Sequence, residues 1–161
     1  MSSSNPYAPP KAAVADVVSP IESPPLWNPN AAASWSLVFS PVFGAVLHMK
    51  NWQAMGEPAK AAAARNWALA SVAFFAVLIL STIALPESKV IDLLSRAGGL
   101  VLLLGWYYAS GKAQNAAVLA RYGKNYRRKG WAKPLLVALA AVVGFFVLAG
   151  AAGFLFGMLR G

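Results

Sequence analysis

The chain has no cysteine and a single histidine among its 161 residues. Disulfide frameworks, thiol nucleophiles and thiolate metal sites are therefore excluded. Acids are almost as scarce: Asp16, Glu22, Glu57, Glu87 and Asp92 make up the full set of five. No two of them are spaced as a general acid–base pair, and neither an HExxH nor a GxSxG motif occurs. An enzymatic role is not expected, and neither is a metal or any other cofactor. Charge of either sign is thin, at 12% of residues against 58% hydrophobic, about half the charged share of a soluble domain. The opening stretch also lacks the apolar core that a cleavable signal requires.

What fills the space is long uncharged runs. Residues 67–85 pass through nineteen positions without a charge, and a helix of that length rises about 28 Å, close to the hydrocarbon thickness of a bilayer. Residues 134–159 form a second such run of twenty-six, and residues 98–110 the heart of a third that must begin near Ile91 to be long enough. Residues 31–49 are also long enough to cross, but contain Ser34, Ser36, Ser40, Pro41, Gly44 and His48. Pro41 deletes a helix hydrogen bond and should kink or break that run near Ser40. The expected fold is an all-α polytopic membrane bundle occupying residues 31–161. Four transmembrane helices are expected, at about 31–49, 67–85, 91–110 and 134–159; the alternative is three spans plus a re-entrant or interfacial segment. Residues 1–30 hold seven of the eleven prolines and read as a disordered or polyproline-like tail. Gly56-Glu57-Pro58 predicts a helix start, and residues 113–122 continue the third helix into solvent, with Gly123 as its cap.

Charge orients the bundle. Lys112, Arg121, Lys124, Arg127, Arg128, Lys129 and Lys133 fall in one loop, and Lys50, Lys60 and Arg65 in another. Lys11, Lys89 and Arg160 are left for the opposite side, so the basic loops are expected in the cytoplasm. Trp52, Trp67, Trp106, Tyr107, Tyr108 and Trp131 cluster at the same ends of the apolar runs, as an interfacial belt does. A net charge of +9 would suggest nucleic acid on a soluble chain. Beside apolar spans it suits anionic lipid headgroups instead, with Arg121, Lys124, Arg127, Arg128, Lys129 and Lys133 as the candidate lipid- or partner-binding loop.

Three further features stand out. Asp92 and Arg96 lie four apart with the acid first, the better orientation for a helical ion pair, and they fall within an expected span, where ionisable groups are costly. Gly144, Gly153 and Gly157 lie on a small-residue ridge of the last span, the kind of face on which helices approach closely in lipid. His48 reads as an interfacial residue at a span end rather than a ligand or proton shuttle.

Asn5-Pro-Tyr-Ala-Pro-Pro10 resembles the Pro-rich head of many small bacterial membrane proteins. Residues 30–52, N-x-x-x-S-W-S-L-V-F-S-P-V-F-G-A-x-L-H-x-x-N-W, are similar to a segment of bacterial inner-membrane families of unknown function. The resemblance covers less than a third of the chain and implies a multi-pass protein of a bacterial inner membrane, with no catalytic residues to carry over. The expected function is non-enzymatic: binding a membrane partner in an accessory or toxin-immunity role, that partner being a membrane protein or a toxin. The alternative is a small-solute or ion transporter or channel subunit using Asp92 and Arg96.

Overall fold

Pro29, Pro41 and Pro58 each stand at the first position of a helix, where a missing N–H costs nothing and φ is already set. The computed structural model describes residues 22–84 and 88–160. In them run α1 (Pro29–Phe39), α2 (Pro41–Ala54), α3 (Pro58–Ala84), α4 (Lys89–Trp106), a π-helical turn (Tyr107–Gly111), α5 (Lys112–Tyr122) and α6 (Ala132–Arg160). The only other pairing among the described residues is an isolated bridge between Leu26 and Arg128. Most of the expected tail, and part of the turn between the second and third apolar runs, lie outside the described residues.

Among the described residues, three helices are long and apolar enough to cross a membrane: Pro58–Ser81, Lys89–Tyr122 and Ala132–Leu155. The expected first span is not among them. It is broken into helices of 11 and 14 residues, about 17 and 21 Å long, each short of the roughly 30 Å hydrocarbon core. The break sits at Ser40, with φ 122° and ψ 162°, because the residue before a proline is barred from helical geometry and Pro41 has no N–H to continue the ladder. The two helices then fold back on each other. Trp27 meets Asn51, the Pro29 carbonyl meets His48, and Ser36 faces Gly44, all pairs closing on Ser40. A single kinked crossing is thus replaced by an antiparallel hairpin whose two ends lie together.

Residues 23–30, which the sequence assigns to the tail, are also folded. Leu26 is fully buried against Val118 and Tyr126. Its N–H donates to the Arg127 carbonyl at 3.0 Å and its carbonyl accepts from Lys129 N–H at 2.8 Å. The Trp27 indole donates to the Gly130 carbonyl at 3.0 Å, and Asn28 caps α1 by accepting from the N–H groups of Asn30 and Ala31. The segment entering α1 is stitched to the loop between α5 and α6.

α2 ends in a Schellman turn: Gly56 takes φ 73°, its N–H reaches the Gln53 carbonyl, and Glu57 N–H reaches that of Trp52. α3 therefore starts at Pro58, as the sequence predicts, and runs back along α2. Its contact face is a stripe of small residues, Ala61, Ala64, Ala68 and Ser71, at helical spacing. Trp52 packs with Ala61 and Ala64, and Ala45 clusters with Ala68, Leu103 and Trp106. Small side chains allow this close approach, as between helices in lipid. The buried positions of the next helix run 98, 103, 106, 111, 114 and 118. The five-residue step from Trp106 to Gly111 falls on the π turn, whose extra residue keeps Gln114 and Val118 on the face that Leu103 and Trp106 began. α6 is exposed along nearly its whole length, with Ala138 its one buried residue among those described.

Candidate functional site

Where the hairpin ends meet α5, four polar groups interlock. Asn51 accepts from Trp27 N–H through Oδ1 at 3.0 Å and donates through Nδ2 to the Trp27 carbonyl at 2.8 Å and to Gln114 Oε1 at 3.2 Å. Gln114 Nε2 donates to the His48 carbonyl at 2.8 Å. His48 Nε2 lies 3.1 Å from the Pro29 carbonyl. A carbonyl only accepts, so that nitrogen carries the proton and Nδ1 is left an acceptor. Nδ1 and the indole N–H of Trp106 are both buried without a hydrogen-bond partner among the described residues. The His48 and Trp106 rings meet edge to face at 5.0 Å. Burial pushes the His48 pKa down from 6.5 to about 4, outweighing the upward pull of the Pro29 carbonyl. His48, Asn51 and Gln114 are fully buried, and the imidazole is neutral at physiological pH. The cluster is built to hold the N-terminal segment, α2 and α5 in register.

Below this clamp lies an apolar groove of about 1110 Å³ between the hairpin, α3 and α6. Its α6 wall runs from Pro134 through Val137, Ala138, Ala141, Val142 and Phe145 to Phe146, at helical spacing on one side of the helix. Val72 and Phe75 of α3 and Val38 and Phe43 of the hairpin face it. Trp27, Lys50 and Lys133 line the end nearest the clamp, and Lys129 Nζ stacks 4.3 Å over the Trp27 ring.

The basic loop divides into occupied and free groups. Arg121 donates to Glu57 Oε1 at 2.7 Å and to the Met55 carbonyl at 3.4 Å, tying α5 to the α2–α3 turn. Lys60 joins the same carboxylate at 3.3 Å. Hydrogen bonds from Arg121 first, then Lys60, hold the Glu57 carboxyl below the usual carboxylate range. Arg127 offers its backbone N–H to Ser23 Oγ at 2.9 Å. Arg128 donates to the Lys124 carbonyl at 3.3 Å and lies 5.3 Å over the Tyr126 ring. Lys124 and Lys133 are exposed, and neither forms a salt bridge among the described residues. Of the six loop cations singled out from the sequence, only Lys133 reaches the groove lining.

The other predicted positions lie apart from this region. Asp92 and Arg96 do pair, at 3.9 Å, but their side chains are 74% and 83% exposed. Ser95 between them lines the groove and they do not. At Gly144, Gly153 and Gly157 an added Cβ would meet nothing within 4 Å, so at these three positions no other described helix approaches the ridge expected to pack within the chain. Close packing falls instead at Gly44, where a Cβ would collide with Ser36 Oγ and the Trp106 ring. Asn51 and Gln114 carry the site and were not singled out from the sequence, while Lys50 and Trp106 were read there only as a loop cation and a belt aromatic. The available signal was that His48 and Asn51, three apart, share one face of α2.

No protein-family model, no curated protein and no solved structure matches the chain.

Proposed function

We propose that this is a non-enzymatic integral membrane protein of three spans, with α1–α2 a re-entrant hairpin, that binds another membrane component in the groove between hairpin and α6. The carrying observation is that groove: an apolar cleft of about 1110 Å³, walled by three separate elements and rimmed by cations at one end. A helix that merely anchors needs no such cleft, and pockets of this size and lining are ligand sites by default. The basic asymmetry supports a rim on the cytoplasmic face, and the sequence resemblance favours a bacterial inner membrane as the host. Accessory and immunity-type roles are the concrete versions of this reading.

What favours binding over transport is the outward aim of Asp92 and Arg96 and their absence from the groove lining. A photo-crosslinking residue at Val142, in the groove, should give a discrete adduct in native membranes. The same residue at Leu148, 72% exposed, should give only the diffuse pattern of bulk lipid. Matching patterns at the two positions would sink the binding reading. Solute flux in proteoliposomes that is lost on Asp92→Asn with Arg96→Gln would replace it with transport.

A further inference from the structure

Resting on that reading, we infer that the component held in the groove is an anionic phospholipid of the leaflet on the basic side, its phosphate at Lys50 and Lys133 and its acyl chains along α6. Three observations point to it. First, the charged side chains of the cleft lie at one end only. Lys50 and Lys133 are exposed side chains on its lining, neither forms a salt bridge among the described residues, and Trp27 with its stacked Lys129 lies beside them. Trp and Lys together are the pairing found at headgroup level. Of the described acids, Glu57 holds Arg121 and Lys60, Asp92 holds Arg96, and Glu22 forms no salt bridge among the described residues.

Second, the depth is that of one leaflet. From Lys133 to Phe146 the α6 wall advances thirteen residue steps, a rise of about 20 Å, with the lysine contributing the headgroup layer. The apolar remainder is close to half of the roughly 30 Å hydrocarbon core. A partner helix would need a matching surface across the whole bilayer. This cleft exists only while the hairpin supplies its third wall, and the hairpin turns back at Ser40. Third, the walls are broad and open rather than interlocked: Val38, Val137 and Phe146 are 69%, 69% and 68% exposed. Flexible chains suit such walls, whereas helix pairing in lipid uses small residues in close contact.

Native mass spectrometry of the full chain, titrated in detergent with phosphatidylglycerol or phosphatidylcholine, tests this. The wild type should retain one phosphatidylglycerol adduct in preference to phosphatidylcholine. Lys50→Gln with Lys133→Gln should cut that preference by about 10- to 30-fold, the effect of two cations near a headgroup. Lys124→Gln with Arg127→Gln removes the same charge outside the groove and should leave the preference in place. Ala141→Trp, an exposed position on the α6 wall, should reduce adducts of both lipids. Equal retention of the two lipids by the wild type overturns the inference, and so does an equal loss in the two double variants. If the photo-adduct at Val142 proves to be protein, the lipid assignment fails while the binding reading stands. A second copy of this chain found there has the same effect.

Discussion

His48 contributes stability through being neutral, and that fixes its response to acid. Its pKa is about 4 in the folded chain and 6.5 when unfolded. Between those values the unfolded state binds more protons, so stability rises with pH there. The contribution is complete above pH 6.5 and is lost as pH falls toward 4, amounting to about 3 kcal/mol over that window. Thermal melts in detergent should therefore fall from pH 7 to pH 5. His48→Gln, which can keep a donor near the Pro29 carbonyl, should flatten that slope; an unchanged slope would place the acid sensitivity elsewhere. Gly44 makes a second residue-scale test, because two glycines of this chain should respond oppositely to the same methyl. At Gly44 a Cβ strikes Ser36 Oγ and the ring of fully buried Trp106. Gly44→Ala should cost about 1–3 kcal/mol by overpacking. Gly144→Ala enters open space within a helix and should be neutral or gain up to about 1 kcal/mol. Equal effects in the two melts would mean that α1 and α2 are not in close contact.

At the scale of elements, the hairpin turns on Ser40. Its φ of 122° with ψ 162° belongs to a region that only glycine occupies freely, at about 1–3 kcal/mol for other residues. Ser40→Gly should raise the melting temperature, and Ser40→Val, branched at Cβ, should lower it. A helix continuing through this point would reverse that order, since glycine is the poorer helix former there. The contrast also shows what the sequence could and could not disclose. The break was legible in Pro41 because it is a local steric effect. Pro58 as a helix start, the cap at Gly123 and the three long apolar helices were legible for the same reason. That the two halves fold back is decided by contacts remote in sequence: Trp27 with Asn51, Asn51 with Gln114, and Leu26 with Arg127 and Lys129. Hydropathy carries no record of such pairings. The small-residue face was likewise sought on α6, where glycines are conspicuous, while the face in use is the alanine stripe of α3. Alanine serves helix propensity and close packing equally well, so composition does not separate the two. Of the candidate site, Lys133 and the general importance of the basic end were visible beforehand, whereas His48, read as an interfacial residue, is fully buried in the clamp.

For the whole molecule, the parity of crossings follows from where the hairpin returns. With α3, α4–α5 and α6 as the crossings, the basic loop and the segment from Ser23 to Trp27 must share one side of the membrane, because Leu26 and Trp27 are hydrogen-bonded to that loop. The end of α6 then lies on the opposite side. A four-span arrangement would carry the N-terminal segment across and break the Leu26, Trp27 and Asn51 bonds together. Several buried donors and acceptors would lose their partners, at about 1–3 kcal/mol each. Single cysteines in this otherwise cysteine-free chain distinguish the two. In intact cells an impermeant thiol reagent should leave Glu22→Cys, Gln53→Cys and Asn125→Cys unlabelled and should label Ser88→Cys. Labelling at residue 22 alone would restore four crossings. Labelling at 22, 53 and 125 together, with 88 protected, would keep three crossings but invert the protein. Asn51→Leu adds an energetic check, since it removes the bonds to Trp27 and Gln114 while conserving approximate volume. It should expose the N-terminal segment to protease on the basic side before the spans unfold. A chain in which that segment resists cleavage until global melting is held by the cluster of Leu26, Val118 and Tyr126 rather than by the polar clamp.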